Sequence, residues 1–320
     1  MSSKSLSMVA AALVVAATVA SQGQQKITQH PLPAEITFPE GVAYDSRAKV
    51  LYSGSAETAA VVRMSPDGKD STIIVKAGEL WPAEPFPALL GMKVDDSERL
   101  WIAGGRTGRM AVLDTKTGQV IKKFETTKPA NSLINDVVVA STAAYFTDSL
   151  TPTLWRVSIT GGQVGTLEPW FQFAGGAIEY TTPGANLNGI AATSDGQTLI
   201  VVQMNKGLLF RITVKDKRIV PIDVGGDSLT AADGLVLDGR RLYVVRQGEQ
   251  EIVTIDLVPD LSKGHVVSRF KEPALMWPAT AAKVGGRLFV VNTQFNKRAT
   301  KDPVTPFSIV SVPVSLLAGK

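Results

Sequence analysis

The sequence predicts an all-β protein, a six-bladed β-propeller built from four-stranded antiparallel blades. Three observations lead there. First, residues 185–212 (ANLNGIAATSDGQTLIVVQMNKGLLFRI) read as an Asn-Gly turn, a short strand, a tight turn at Ser194-Asp195-Gly196, and two further strands. The phrase recurs, with Asn188 matched by Glu40, Leu90, Asn135, Asp233 and Ala279 at gaps of 50, 45, 53, 45 and 46 residues around the chain. A period of roughly 40–50 residues with several strands per repeat marks a propeller, and six anchors give six blades. Second, the runs between anchors are short, rich in β-branched and aromatic residues, and bounded by Gly, Asp and Pro. Third, no sustained helical periodicity follows the N-terminal apolar segment.

The elements follow in order. Residues 1–20 (MSSKSLSMVAAALVVAATVA) carry Lys4, an apolar run from Met8 and the small-residue site Thr18-Val19-Ala20. That is the pattern of a secretory signal peptide, and the run is shorter than the ~18–20 residues that span a bilayer. A secreted or periplasmic protein is expected, with no membrane span after signal removal. Residues 21–37 form a lead whose 27–30 stretch could supply the outer strand of the last blade. Residues 38–320 form one propeller domain. Strands are expected at 50–53, 60–64 and 71–75, at 99–103 and 109–113, at 144–147 and 153–157, at 241–245 and 251–255, and at 287–291 and 307–312. Two connections are long, 77–89 and 165–187. They hold Trp81, Phe86, Trp170, Phe171, Phe173 and Tyr180, which would form either a lid or a seal between blades.

A charged fraction of 19% and a net charge of +4, with no basic run interleaved with aromatics, argue against nucleic acid as a partner. With no Cys and two His in the sequence, disulfides are excluded and a structural zinc site is disfavoured. A monomer acting on a small molecule is the expectation.

A propeller aims the start of each innermost strand at its axis. Glu40, Asn135, Asn188 and Asp233 would converge there as two carboxylates and two amide oxygens. Such a hard, oxygen-only set suits Ca²⁺ or another divalent metal in a central metal channel. Leu90 and Ala279 add no ligand.

With these anchors placed, the chain resembles the senescence marker protein/gluconolactonase family of six-bladed propellers, whose wider relatives include diisopropylfluorophosphatase, paraoxonase and strictosidine synthase. The carrying residues are Glu40 in FPEGVAYD, Asn135 in LINDVVV, Asn188 in NLNGIAATSDG and Asp233 in ADGLVLDGRRLYVV. The resemblance implies that these four ligate a catalytic divalent ion, a set most like that of diisopropylfluorophosphatase. It also implies that Asp136 supports the site from behind. Asp233 would then be the base or nucleophile, with Glu40 the alternative, in calcium-dependent hydrolysis of a lactone or related ester.

Polar residues after the second strands (Ser53, Arg106, Asp148, Gln203, Arg246 and Asn292) should return to the anchor end. Arg246 would bind an anionic group or pair with Asp233, and Gln203 would line the site. Trp277, just before the sixth anchor, would wall the pocket or join the core. His30 and His265 are expected on the surface, which disfavours a His-pair mechanism. A condensing enzyme of the strictosidine synthase kind would need a late Glu, for which Glu272 matches poorly. The competing expectation is a non-catalytic exported binding propeller with a structural calcium ion.

Overall fold

The computed structural model describes residues 26–319 apart from 83, 141, 174, 175 and 183, so the expected signal segment at 1–20 lies outside the described residues. Six separate four-stranded antiparallel sheets succeed one another along the chain. They are the blades of a six-bladed β-propeller. The innermost strands are Pro39–Asp45, Met92–Val94, Ile134–Ala140, Leu187–Ala192, Ala232–Asp238 and Pro278–Val284. Among the described residues the only helical segments are three 3₁₀ turns, and no helix is long and apolar enough to cross a membrane.

Blade six takes its outer strand from the other end of the chain. Thr28–Pro31 pairs antiparallel with Ser308–Pro313, Thr28 opposite Ser311 and Pro31 opposite Ser308. This joins the first and last blades and covers what would be an open sheet edge. His30 sits within this closure, 8% exposed, its ring 5.7 Å from that of Phe289 and its Nε2 3.1 Å from the Thr28 hydroxyl. The expectation of a surface His30 is therefore corrected. Pairing with the last blade buries it. His265 is exposed on the outer strand Gly264–Lys271.

Side-chain alternation explains the core. Successive residues of a strand face opposite sides of the sheet, and each blade has a neighbour on both sides. In Arg99–Ala103, Leu100 and Ile102 join the apolar cluster shared with blade one. Trp101 and Ala103 join the cluster shared with blade three. Six such clusters lie one between each adjacent pair of blades. That is why middle strands such as Thr198–Gln203 read as continuous apolar runs, while the outer strand Val120–Glu125 alternates exposed and half-buried residues.

The aromatics of the two long connections belong to this packing. Trp81 is buried between blades one and two, its Nε1–H donating to the Ala88 carbonyl at 2.5 Å. Trp170 and Phe173 are buried between blades three and four, with Phe171 and Tyr180 packed against them. Residues 165–172 are not loop, because the outer strand of blade three runs as Gln163–Gln172. The aromatics seal blade boundaries, so the lid alternative is set aside.

Candidate metal centre

All four oxygen-bearing anchors occupy one structural position, and backbone geometry creates it. In blade one Pro39 pairs with Ser55 and Val42 with Ser53, so the inner strand advances three residues while its neighbour advances two. The extra residue makes a β-bulge at Glu40-Gly41. The same shift falls at Asn135-Asp136, Asn188-Gly189, Asp233-Gly234 and Ala279-Thr280. Bulges bend a strand and re-aim its side chains, and they favour functional sites. Here each bulge lies at the end of the axis where the inner strands begin. Leu90 is buried in an apolar cluster and Ala279 likewise, so blades two and six add no oxygen side chain at the anchor.

The second bulge residue faces the adjacent blade at very close range. A Cβ on Gly41 would lie 2.3 Å from the Leu90 carbonyl oxygen, and one on Gly189 would lie 2.2 Å from the Asp233 carbonyl oxygen. Glycine is required there by proximity. Blade three instead carries Asp136, whose Oδ1 accepts from the Val137 N–H at 2.8 Å and whose Oδ2 accepts from the Ile190 N–H of blade four at 3.1 Å. Asp136 thus bridges two blades behind the anchor ring.

The anchors are buried, at 4% exposure for Glu40, 5% for Asn135, 4% for Asn188 and 3% for Asp233. Three residues hold three of them, each one position beyond a second strand. Ser149 accepts from Asn135 Nδ2 at 3.0 Å, Met204 Sδ lies 3.3 Å from Asn188 Nδ2, and Gln247 Nε2 donates to Asp233 Oδ2 at 2.8 Å. The amide nitrogens are thereby engaged, while Glu40 Oε2, Asn135 Oδ1 and Asn188 Oδ1 are buried oxygens without a hydrogen-bond partner. Unpaired buried oxygens cost about 1–3 kcal/mol each and call for a ligand that accepts their lone pairs.

Electrostatics points the same way. The Glu40 carboxyl is pushed well above the usual carboxylate range, first by burial and then by the charges of Asp233 and Asp136. Asp233 is pushed up by burial and by Asp136, with the Asn188 side chain acting in the opposite sense. Asp136 is raised to about 6 by burial, against the pull of its two N–H donors and of Lys93. Three carboxylates crowded in a buried space favour a cation among them. Among the described residues no group of three or more His, Cys, Asp or Glu is spaced to hold an ion; the candidate donor set is mixed, Glu40 and Asp233 with the Asn135 and Asn188 amide oxygens. Orphaned oxygens and a hard donor set fit a divalent cation of the calcium type.

The supporting residues expected from the sequence fall differently. Arg246 does not reach Asp233. It is buried against Glu251, and its Nε donates to the Thr230 carbonyl at 2.9 Å. Arg269 Nη1 reaches the same Glu251 at 2.8 Å. Gln203 is fully buried, its Nε2 donating to the Glu179 carbonyl at 2.7 Å, which ties the 179–186 loop to blade four. Asp148 and Asn292 bond backbone amides of neighbouring turns. Arg106 is exposed. Trp277 is half-buried and belongs to none of the six apolar clusters. It takes a left-handed φ of 50°, as do Phe38 and Ala231 at the matching point of blades one and five, at 47° and 60°. The residues missed are Ser149, Met204, Gln247 and, at the same position of blade six, Thr293, whose buried Oγ1 has no partner.

No protein-family model matches the chain, and no curated protein matches it. Solved structures do. Regucalcin of Agrobacterium tumefaciens, a calcium-binding protein, superposes with TM-score 0.62 at 17% identity, over 92% of this chain and 96% of its own. A gluconolactonase of Xanthomonas campestris gives TM-score 0.61 at 19% identity, over 90% and 89%. Virginiamycin B lyase of Staphylococcus aureus gives 0.59 at 14%, over 83% and 82%. At these identities the likeness is one of fold, and the chain shares the six-bladed architecture of regucalcin and gluconolactonase.

Proposed function

We propose that the protein is an exported, divalent-cation-dependent hydrolase of a lactone or related ester. The observation that carries this reading is the set of partnerless buried oxygens on Glu40, Asn135 and Asn188, gathered with Asp233 on equivalent bulges at one end of the axis. A bound calcium-type ion would polarise a carbonyl oxygen and acidify water. Asp233, fixed through Oδ2 by Gln247, is the proposed base or nucleophile, with Glu40 the alternative. Asp136 holds the backbone of blades three and four in register beneath the ring. The fold shared with a gluconolactonase and a calcium-binding regucalcin supports the substrate class and the ion. Export rests on the signal pattern of residues 1–20.

One observation favours a second reading. The four anchors are at most 5% exposed, as they would be in a binding propeller whose ion is structural. Calcium calorimetry on the mature protein and on Asp233→Ala, followed by a lactone and aryl-ester panel, separates the two. Binding lost in the variant with turnover in the wild type supports the hydrolase. Binding without turnover across the panel supports the structural ion. No binding of Ca²⁺, Mg²⁺, Mn²⁺ or Zn²⁺ removes both.

A further inference from the structure

A cavity of about 600 Å³ opens at the end of the axis opposite the anchors. It lies where the inner strands of blades two to five finish, and its rim is formed by turn residues including Asp96, Gly162 and Ser194. Its walls include Val138, Ala191, Leu235 and Val236, with Lys93 of blade two among them. The volume falls within the ~300–1,000 Å³ of small-ligand sites, and the lining exposes more polar than apolar surface.

Lys93 is the group that gives this cavity a chemical preference. Its side chain is exposed within the cavity. Among the described residues its ammonium forms no hydrogen bond or ion pair, and the charged group that acts on it, Asp136, already accepts two backbone N–H groups. The other charges of the wall are accounted for. Asp95 is paired with Arg99 at 2.7 Å and accepts from Trp101 Nε1 at 2.8 Å, and Asp96 is exposed on the rim. Each inner strand is also the edge of its sheet.

We propose that this cavity is a second ligand site, specific for a small organic anion whose carboxylate or phosphate head is held by the Lys93 ammonium. The head lies at Lys93, and the rest of the anion lies across the cavity beside Val138, Ala191 and Val236. The site is independent of the cation at the anchors.

Titration calorimetry in excess chelator tests it, with octanoate and octyl phosphate as probes and octylammonium as the charge-reversed control. The expected result is saturable one-to-one binding of an anionic probe, about tenfold or more tighter than octylammonium. Lys93→Met should weaken that binding by about tenfold or more, and Lys93→Arg should largely keep it. Preference for octanoate or for octyl phosphate distinguishes a carboxylate from a phosphate ligand. No saturable binding, equal binding of both head charges, or undiminished binding to Lys93→Met would overturn the proposal. So would binding that appears only when calcium is restored, since that would place the probe at the anchors. Should Lys93→Met fail to fold, the comparison of head charges on the wild type still decides.

Discussion

Replacing Gly189 by alanine should damage both stability and cation binding, by an amount the geometry sets. The new Cβ would meet three backbone atoms of blade five, the Asp233 oxygen at 2.2 Å, the Leu235 nitrogen at 2.9 Å and the Gly234 carbonyl carbon at 3.1 Å. None is the end of a flexible side chain. Reaching ordinary contact requires the two inner strands to separate by about 1 Å. Both are anchored from behind, Leu187 opposite Gln203 and Ala232 opposite Arg246, so the strain cannot be shed locally. Overpacking of this kind costs about 2–3 kcal/mol. The displaced residues adjoin Asn188 and Asp233, so calcium affinity should fall as well, because sites tolerate only about 0.5 Å of misplacement. Gly286→Ala is the control. Nothing lies within 4 Å of its Cβ position and its φ is outside the left-handed region. It should be neutral or gain up to about 1 kcal/mol. Urea unfolding followed by tryptophan fluorescence, with calcium calorimetry on the same samples, gives both readouts. A Gly189→Ala protein within about 0.5 kcal/mol of the wild type, with intact calcium binding, would refute the close approach of blades four and five and the site built on it.

Three further outcomes follow from the same geometry. Arg246→Met breaks a buried pair with Glu251 but leaves Arg269 on that carboxylate, so stability should fall by about 3 kcal/mol with calcium affinity unchanged; lost calcium or substrate binding at unchanged stability would restore a role at the site. Burial lowers the pKa of His30 below its usual value in the folded state, so the unfolded chain binds the proton more readily. Its contribution to stability should be complete above about pH 6.5 and fade as pH falls through the folded value, and His30→Phe should flatten the pH dependence of urea midpoints in that window. Deleting residues 21–31 strips the outer strand of blade six and exposes the edge of Ser308–Pro313, and sedimentation velocity should then show concentration-dependent self-association.

The sequence period located the anchors because a propeller repeats one supersecondary unit, and a residue that keeps its place in the unit keeps its place around the axis. Glu40, Asn135, Asn188 and Asp233 were found that way, each as the second residue of its inner strand. What holds them lies one residue beyond polar positions that the sequence singles out at the anchor end. Of those positions, Asp148, Gln203 and Arg246 each end a second strand. These pair with the residue before each anchor, Ile134, Leu187 and Ala232. The side chains that touch the anchors come next, in Ser149, Met204 and Gln247. A strand pattern with strict alternation cannot show this offset, because the bulge breaks the alternation at the anchor itself. One signal was present. Gly41, Gly91, Gly189 and Gly234 directly follow four of the six anchors, and a glycine inside a strand marks a bulge or a close backbone approach. Read that way, Asp136 at the same place in blade three stands out as the one carboxylate in a ring otherwise filled by glycine and Thr280. Its two backbone partners explain how that blade tolerates it. The opposite end of the axis carried no such signal. Lys93 lies in a three-residue strand that follows a leucine anchor, and only the assembled ring brings it beside Val138, Ala191 and Val236 of three other blades.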